Sequence, residues 1–222
     1  MLPPGHALRM DLVAFDFDGT LSDSEMTVLL GRRAGVSDEI DRITQRAMND
    51  EIGYAESLRE RAALLSGLPA ADAAAAFDEV VLRPGAADVI AALNDAGVTT
   101  AVLTGGFERG VAAALDAAGV AVDRVVANAL PTDDDGALTG DVTGPLIEGT
   151  KDDALADLCG DYGRDTSDAV AVGDGANDLP MLEVAGLAVG FDPKPAVGPS
   201  CDVTVDSMAA LDELLREENV LS

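Results

Sequence analysis

The sequence predicts an α/β fold: a mostly parallel sheet with helices on both faces, and a small helical insertion after the first strand. Three observations predict it. Short apolar runs alternate with stretches of three- and four-residue apolar spacing along most of the 222 residues, the pattern of repeated βαβ units. Three apolar runs lead directly into polar, glycine-containing segments, Asp16–Thr20, Thr104–Gly106 and Gly173–Asp178, and in a parallel sheet such loops gather at the carboxyl ends of the strands. From Ser24 to Phe77 the spacing is helical throughout, with no strand pattern inside it.

Leu12-Val13-Ala14-Phe15 is a buried strand, ending in the first polar loop. In the insertion, Met26, Leu29 and Leu30, then Ile40, Ile43 and Ala47, then Leu58, Ala62 and Leu65 recur at helical spacing, and Ser37, Ser57 and Pro69 read as helix starts. Pro84-Gly85 opens a helix that ends at Ala96-Gly97. Val98 to Leu103 is a strand with Thr104–Gly106 as its exit loop, and the helix after it stops at Gly119. Arg124 to Ala129 is strand-like. Asp133-Asp134-Asp135-Gly136 is a turn signal inside a hairpin excursion from Asn128 to Val142. Lys151 to Leu158 is helical, Ala169 to Val172 a strand, Leu187–Gly190 and Val203–Val205 short strands, and Met208 to Leu215 the last helix.

Hydrophobic residues make up 48% of the chain, but aromatics only 3%, with no Trp. The core must therefore be built from Ala, Val and Leu. Acidic residues number 41 against 14 basic ones, a net charge of −27, and only Lys151 and Lys194 are lysines. At low salt such a surface repels itself; at molar salt, where the Debye length falls to about 3 Å, the repulsion is screened. The composition reads as a halophile-like surface in a salty cytoplasm. Nucleic acid and anionic membranes are excluded as partners, since both require a basic footprint.

Cys159 and Cys201 show no metal-ligand spacing and suggest no disulfide framework. No stretch approaches the roughly 18 apolar residues of a membrane span. Met1–Met10 lacks the apolar run of a signal peptide and reads as a flexible leader, with Met10 as an alternative start. The only His, His6, lies in that leader, which disfavours histidine catalysis. Oligomeric state is not legible.

The chemistry concentrates in the three loops. Asp16 and Asp18 stand two apart at a strand end, where continued strand geometry would send both to one face and Phe17 to the other. Asp174 and Asp178 add two acids from another loop. Such carboxylates repel unless a cation or a proton separates them, and hard oxygen donors suit Mg²⁺. An ionised Asp beside Mg²⁺ can attack phosphorus, and a second carboxyl can protonate the leaving oxygen and then deprotonate water. Thr104 offers a hydroxyl, and Gly105 a backbone N–H at an expected helix start. Lys151 heads a helix, where a cation opposes the helix dipole; neutralising a transferring phosphate explains it better than a structural role.

Asp16-Phe17-Asp18-Gly19-Thr20-Leu21, Thr104-Gly105-Gly106, Lys151 and Gly173-Asp174-Gly175-Ala176-Asn177-Asp178 resemble, in order, the four motifs of the haloacid dehalogenase (HAD) superfamily of phosphatases. The likeness runs from about Asp11 to Ser207. It is closer to the phosphoserine-hydrolysing branch, through Glu25, Ser57-Leu58-Arg59-Glu60-Arg61, Leu138-Thr139-Gly140-Asp141-Val142 and Gly173 to Met181. That likeness implies a Rossmann-like core over residues 11–23 and 81–222 and a C1-type helical cap over 24–80. It implies Asp16 as nucleophile and Asp18 as general acid and base. Mg²⁺ would be held by Asp16, the Asp18 backbone carbonyl and Asp174, with Asp178 supporting. Thr104, Gly105, Lys151 and Asn177 would contact phosphate, Glu25 the substrate ammonium, and Arg61 its carboxylate, with Arg59 as the competing inward residue. Met48 and Tyr54 would line the apolar side of the pocket. Thr104 stands where the family often has Ser, with the hydroxyl kept.

The implied substrate is phosphoserine and the implied step the last of serine biosynthesis. Rival readings are a phosphatase for another small phosphomonoester such as phosphoglycolate, an aspartyl-phosphate phosphotransferase or mutase, and a non-catalytic binding module. Gly173-x-Gly175-x-x-Asp178 lacks the third Gly of a dinucleotide fingerprint, and Gly144 to Lys151 lacks the Lys-then-Ser/Thr order of a P-loop.

Overall fold

The computed structural model describes residues 10–49 and 51–221. Its strands are β1 (Leu12–Phe15), β2 (Thr99–Phe107), β3 (Arg124–Asn128), β4 (Ala169–Gly173), β5 (Leu187–Phe191) and β6 (Val203–Val205). They form one sheet in the order β3-β2-β1-β4-β5-β6, and every pairing is parallel. From β1 the chain builds outward through β2 to β3, then returns to the other side of β1 for β4, β5 and β6. The direction reverses between β1 and β4. A crevice opens at such a switch point, at the carboxyl ends of the strands; Asp16 follows β1 there and Asp174 follows β4.

Strand parity sorts the two faces. Leu12 and Ala14 join Ala101, Leu103, Ala169, Ala171 and Ala188 under α7 (Lys151–Asp161) and α8 (Leu179–Val184). Val13 and Phe15 join Val102, Val170, Val172 and Val189 on the opposite face. That face is covered by α5 (Ala86–Asp95), α6 (Glu108–Ala118) and α9 (Met208–Glu217). The α7 face is mostly alanine, so its helices can lie close to the sheet, and the bulk of the core sits on the other side.

The insertion consists of α1 (Met26–Ala34), α2 (Ser37–Met48), α3 (Tyr54–Ala63) and α4 (Ala70–Phe77). Its apolar residues Met26, Leu30, Ile40, Leu58, Leu65 and Phe77 belong to the same buried cluster as Phe15 and Phe17. Phe77 meets Phe107 edge to face at 6.3 Å. The two connections of the insertion are clipped together: Ser22 Oγ donates to Val81 O (2.7 Å), Arg83 N to Leu21 O (2.8 Å), and Ser22 bridges Leu82. The excursion after β3 holds isolated antiparallel bridges, Ala129 with Thr143 and Thr132 with Leu138, around the expected 133–136 turn. It bonds the insertion through Gly67 N to Leu138 O, Leu138 N to Leu68 O and Ala70 N to Gly136 O, all 2.8 Å.

Several expectations are corrected. Thr104–Gly106 is not a loop, because β2 continues to Phe107. Ser57 lies inside α3, which starts at Tyr54 after Gly53. Residues 1–9 of the expected leader, His6 among them, lie outside the described residues; Met10 is partly buried against the core.

The seam between insertion and core is tight at Gly110, where a Cβ would lie 2.6 Å from Met26 Sδ and 3.0 Å from the Phe77 ring. Gly110→Val is expected to lower unfolding stability by about 1–3 kcal/mol through overpacking. Denaturant titration at fixed KCl measures it, and an unchanged midpoint would contradict the packing described.

Candidate active site

Parity carries past the end of β1. Asp16, 3% exposed, follows Leu12 and Ala14 toward the α7 face, while Phe17 joins the cluster of Val13 and Phe15. Asp16 N donates to Val172 O (2.8 Å), so the sheet ladder holds the residue in place. Lys151 is the first residue of α7 and is 3% exposed. Its ammonium lies 2.5 Å from Asp16 Oδ1 and 2.5 Å from Asp178 Oδ1. Burial and the helix dipole both disfavour a cation there. Burial alone would lower its pKa, but Asp16 and Asp178 outweigh it and hold the pKa above the ordinary value.

Asp178 is fully buried and does two jobs. One oxygen takes Lys151; the other accepts the N–H groups of Asp174 (3.0 Å) and Gly175 (2.9 Å), fixing the loop after β4. Asp174 turns one oxygen to Lys194 Nζ at 3.1 Å, and Lys194 N donates to Asp174 O (2.9 Å). Gly19, at φ +96°, is required twice over: a Cβ there would lie 2.6 Å from Asp174 Oδ1.

Asp16, Asp174 and Asp178 each offer a carboxylate oxygen within 4.8 Å of the others. Burial, then the charge of Asp178, pushes Asp16 up to about 7 against the pull of Lys151. Burial likewise raises Asp174 against Lys194. Hard oxygens, close spacing and acids pushed up by burial and by one another fit a divalent cation. The Asp18 carboxyl stands apart from this trio. Its Oδ1 is buried without a hydrogen-bond partner, and burial followed by Glu25 and Asp16 raises its pKa well above the ordinary range.

β2 supplies the next wall. Between Leu103 and Phe107 it advances four residues while β3 advances only two, from Val126 to Asn128. The resulting bulge frees Thr104, Gly105 and Gly106 from regular pairing. Thr104 Oγ1, buried, accepts Gly106 N (3.0 Å). Gly105 is not at a helix start as expected, because α6 begins at Glu108. Its carbonyl accepts from Asn128 Nδ2 (3.0 Å), and Asn128 also brackets Leu146, donating to its carbonyl (3.3 Å) and accepting its N–H (3.1 Å). A cavity of about 130 Å³ opens here, lined by Gly105, Thr150, Lys151 and Asn177 with Tyr54 and Pro180.

The insertion contributes charge. Glu25 stands at the N-cap position of α1 without a side-chain capping bond, and its charge acts on Asp18 and Arg61. Arg61 Nη1 donates to Thr27 Oγ1 (3.2 Å) and its Nε to Ser57 O (3.3 Å). Burial lowers its pKa, while Tyr54, Glu25 and Asp18 oppose. Arg59 turns away and pairs with Glu148. Met48, expected in the pocket, is 72% exposed at the end of α2. Sequence reasoning missed the partners of Lys194 and Asn128. The scarcity of lysine was the available signal for the first; nothing in the sequence marked the second.

With this site goes a family. Residues 13–183 match the model of the haloacid dehalogenase-like hydrolases, and the chain belongs to that family. Within it, the chain is 60% identical over 211 residues to phosphoserine phosphatase of Halobacterium salinarum, covering 95% of this chain and all of that protein. It is 37% identical to phosphoserine phosphatase of Methanocaldococcus jannaschii, over 89% of this chain and 93% of that one. Among solved structures, a phospho-aspartyl intermediate analogue of phosphoserine phosphatase matches with TM-score 0.83 and 36% identity, over 94% of this chain and 99% of that one. A substrate-bound phosphoserine phosphatase complex also matches with TM-score 0.83, at 35% identity, over 93% and 97%. No helix among the described residues is long and apolar enough to cross a membrane.

Because Asp16 is raised from 3.8 to about 7 on folding, the folded state binds the extra proton. Its contribution to stability is complete below the unfolded value and is lost as pH rises through about 7. In chelator, acidification from pH 8 to 6 should therefore stabilise the protein by about 1 kcal/mol more than it stabilises Asp16→Asn. Denaturant titrations of both proteins at fixed KCl test this; an equal response would mean that Asp16 is ionised across the range.

Proposed function

We propose that this protein hydrolyses O-phospho-L-serine to L-serine and inorganic phosphate through an aspartyl-phosphate on Asp16, with Mg²⁺. The observation that carries the reading is the buried Lys151 bridge between Asp16 and Asp178 at the sheet's switch point, in a chain 60% identical to a phosphoserine phosphatase along that enzyme's whole length. Mg²⁺ would be held by Asp16, the Asp18 backbone carbonyl and Asp174, with Asp178 supporting. When bound, it supplies positive charge that lets an anionic carboxylate meet an anionic phosphate.

The chain's own residues do the rest. Lys151, Thr104, the Gly105 N–H and Asn177 hold the phosphoryl oxygens. An Asp16 oxygen attacks phosphorus as the bond from phosphorus to the serine oxygen breaks. Asp18, whose pKa is raised by burial and by the charges of Glu25 and Asp16, gives a proton to that leaving oxygen. The Asp18 carboxylate then takes a proton from water, the water oxygen attacks phosphorus, and the Asp16–phosphorus bond breaks to release phosphate. Glu25 pairs with the substrate ammonium and Arg61 with its carboxylate.

Residues 24–80 act as the cap and residues 11–23 with 81–222 as the core, a division supported by the clip of Ser22 to Val81 and Leu82. The −27 charge supports a protein working in a salt-rich cytoplasm, in the last step of serine biosynthesis.

Phosphate release from a panel of phosphomonoesters, in Mg²⁺ and multimolar KCl, tests the reading. Phosphoserine should turn over fastest, and Asp16→Asn should lose about 10³-fold or more in kcat. Preference for another ester would overturn the substrate, and hydrolysis independent of Asp16 would overturn the mechanism. Glu25→Gln should raise KM for phosphoserine about tenfold, the worth of one charged hydrogen bond, and leave esters without an ammonium unaffected. Equal losses for both would remove Glu25 from ammonium recognition.

A further inference from the structure

Tyr54 is the first residue of α3, in the insertion, yet its hydroxyl reaches the bulge of β2. A Cβ on Gly105 would collide with Tyr54 Oη, so the phenol oxygen lies against the backbone that carries the Gly105 N–H. Tyr54 lines the same 130 Å³ cavity as Gly105, Lys151 and Asn177. The charges of Lys151, Arg61, Asp16 and Asp18 all act on the phenol, which sets it within the charged site although the residue as a whole is 41% exposed. Among the described residues no hydrogen bond satisfies the hydroxyl.

Apolar lining accounts for the ring but not for the hydroxyl. A phenol donor against the Gly105 backbone, in a cavity it shares with Lys151 and Asn177, is set for an anion with several acceptor oxygens. The amino-acid moiety is assigned above to Glu25 and Arg61. Resting on the phosphatase reading above, we propose that the Tyr54 hydroxyl is a further phosphate ligand, donated by the insertion to the phosphoryl group alongside Thr104, Gly105 and Lys151. Phosphate then touches both the sheet and the insertion, and binding it holds α3 against β2.

The test compares the wild-type protein with Tyr54→Phe, which keeps the ring, in Mg²⁺ and multimolar KCl. Inorganic phosphate and L-serine serve as separate probes, each read as a product-inhibition constant with phosphoserine as substrate. Phosphate inhibition should weaken about tenfold, the lower end for a hydrogen bond to a charged partner, with serine inhibition unchanged. Unchanged phosphate inhibition overturns the proposal, as does equal weakening for both probes, which would mean a loosened pocket.

A wild-type protein that does not turn over phosphoserine fails the underlying reading instead. A second measurement needs no change at Tyr54. The chain has two tyrosines and no Trp, so in a Tyr162→Phe background the tyrosine absorbance reports Tyr54 alone. Added inorganic phosphate should shift that spectrum and added L-serine should not; a spectrum indifferent to phosphate overturns the proposal.

Discussion

The buried ammonium of Lys151 is the constraint on which the site depends. It satisfies Asp16 at the end of β1 and Asp178 after β4, so it ties the two strands of the switch point to the head of α7. None of the three groups is tolerable alone. Removing one partner of a buried pair leaves an uncompensated charge, at a cost of about 3–5 kcal/mol. The alanine-lined face of the sheet belongs to the same solution, because it lets α7 bring its first residue down to the acids. The other lysine, Lys194, ends at Asp174. In a chain whose remaining basic residues are all Arg, both compact ammonium groups meet the acid cluster. Arg would present a wide fork that occupies both oxygens of a carboxylate; Lys takes one and leaves the other free.

On the other wall, the backbone is arranged by irregularity. The bulge in β2 takes Thr104, Gly105 and Gly106 out of the ladder, and Asn128 restores part of the lost pairing with its side-chain amide. Three hydrogen bonds at one side chain, two given and one accepted, hold Gly105 and Leu146 in place. The bulged stretch of β2 is therefore held in place before any ligand arrives, a condition for electrostatic stabilisation without reorganisation.

What could be read in the sequence follows from what is local. The strands of the sheet are short apolar runs, and β1, β4, β5 and β6 fall within a residue of their expected ends. Asp16, Thr104, Asp174, Asn177 and Asp178 are brought together because parallel topology sends strand ends to one edge, and the head of α7 brings Lys151 to them. Less legible was whatever depends on which way a side chain turns. Arg61 and Arg59 are two residues apart on α3 and diverge by the helix rotation, one toward Thr27 and the other toward Glu148. Met48 has the apolar character of a lining residue but sits at the solvent end of α2. The extension of β2 was hidden because Thr-Gly-Gly has the composition of a loop, and only the partner strand and Asn128 make it a strand.

The excursion after β3 has a mechanical meaning. The insertion is joined to the core at the clip near Ser22 and Leu82, and again by three backbone hydrogen bonds at Gly67, Leu68 and Ala70. A plate fixed along two edges does not swing like a door. Arg61 of α3 is tied to α1 through Thr27, and the Tyr54 hydroxyl rests against β2. The apolar cluster shared by Met26, Leu30, Ile40, Leu58 and Phe77 with Phe15 and Phe17 would have to be torn open by any rigid swing of the insertion, so the wall over the acids is part of the core's own packing.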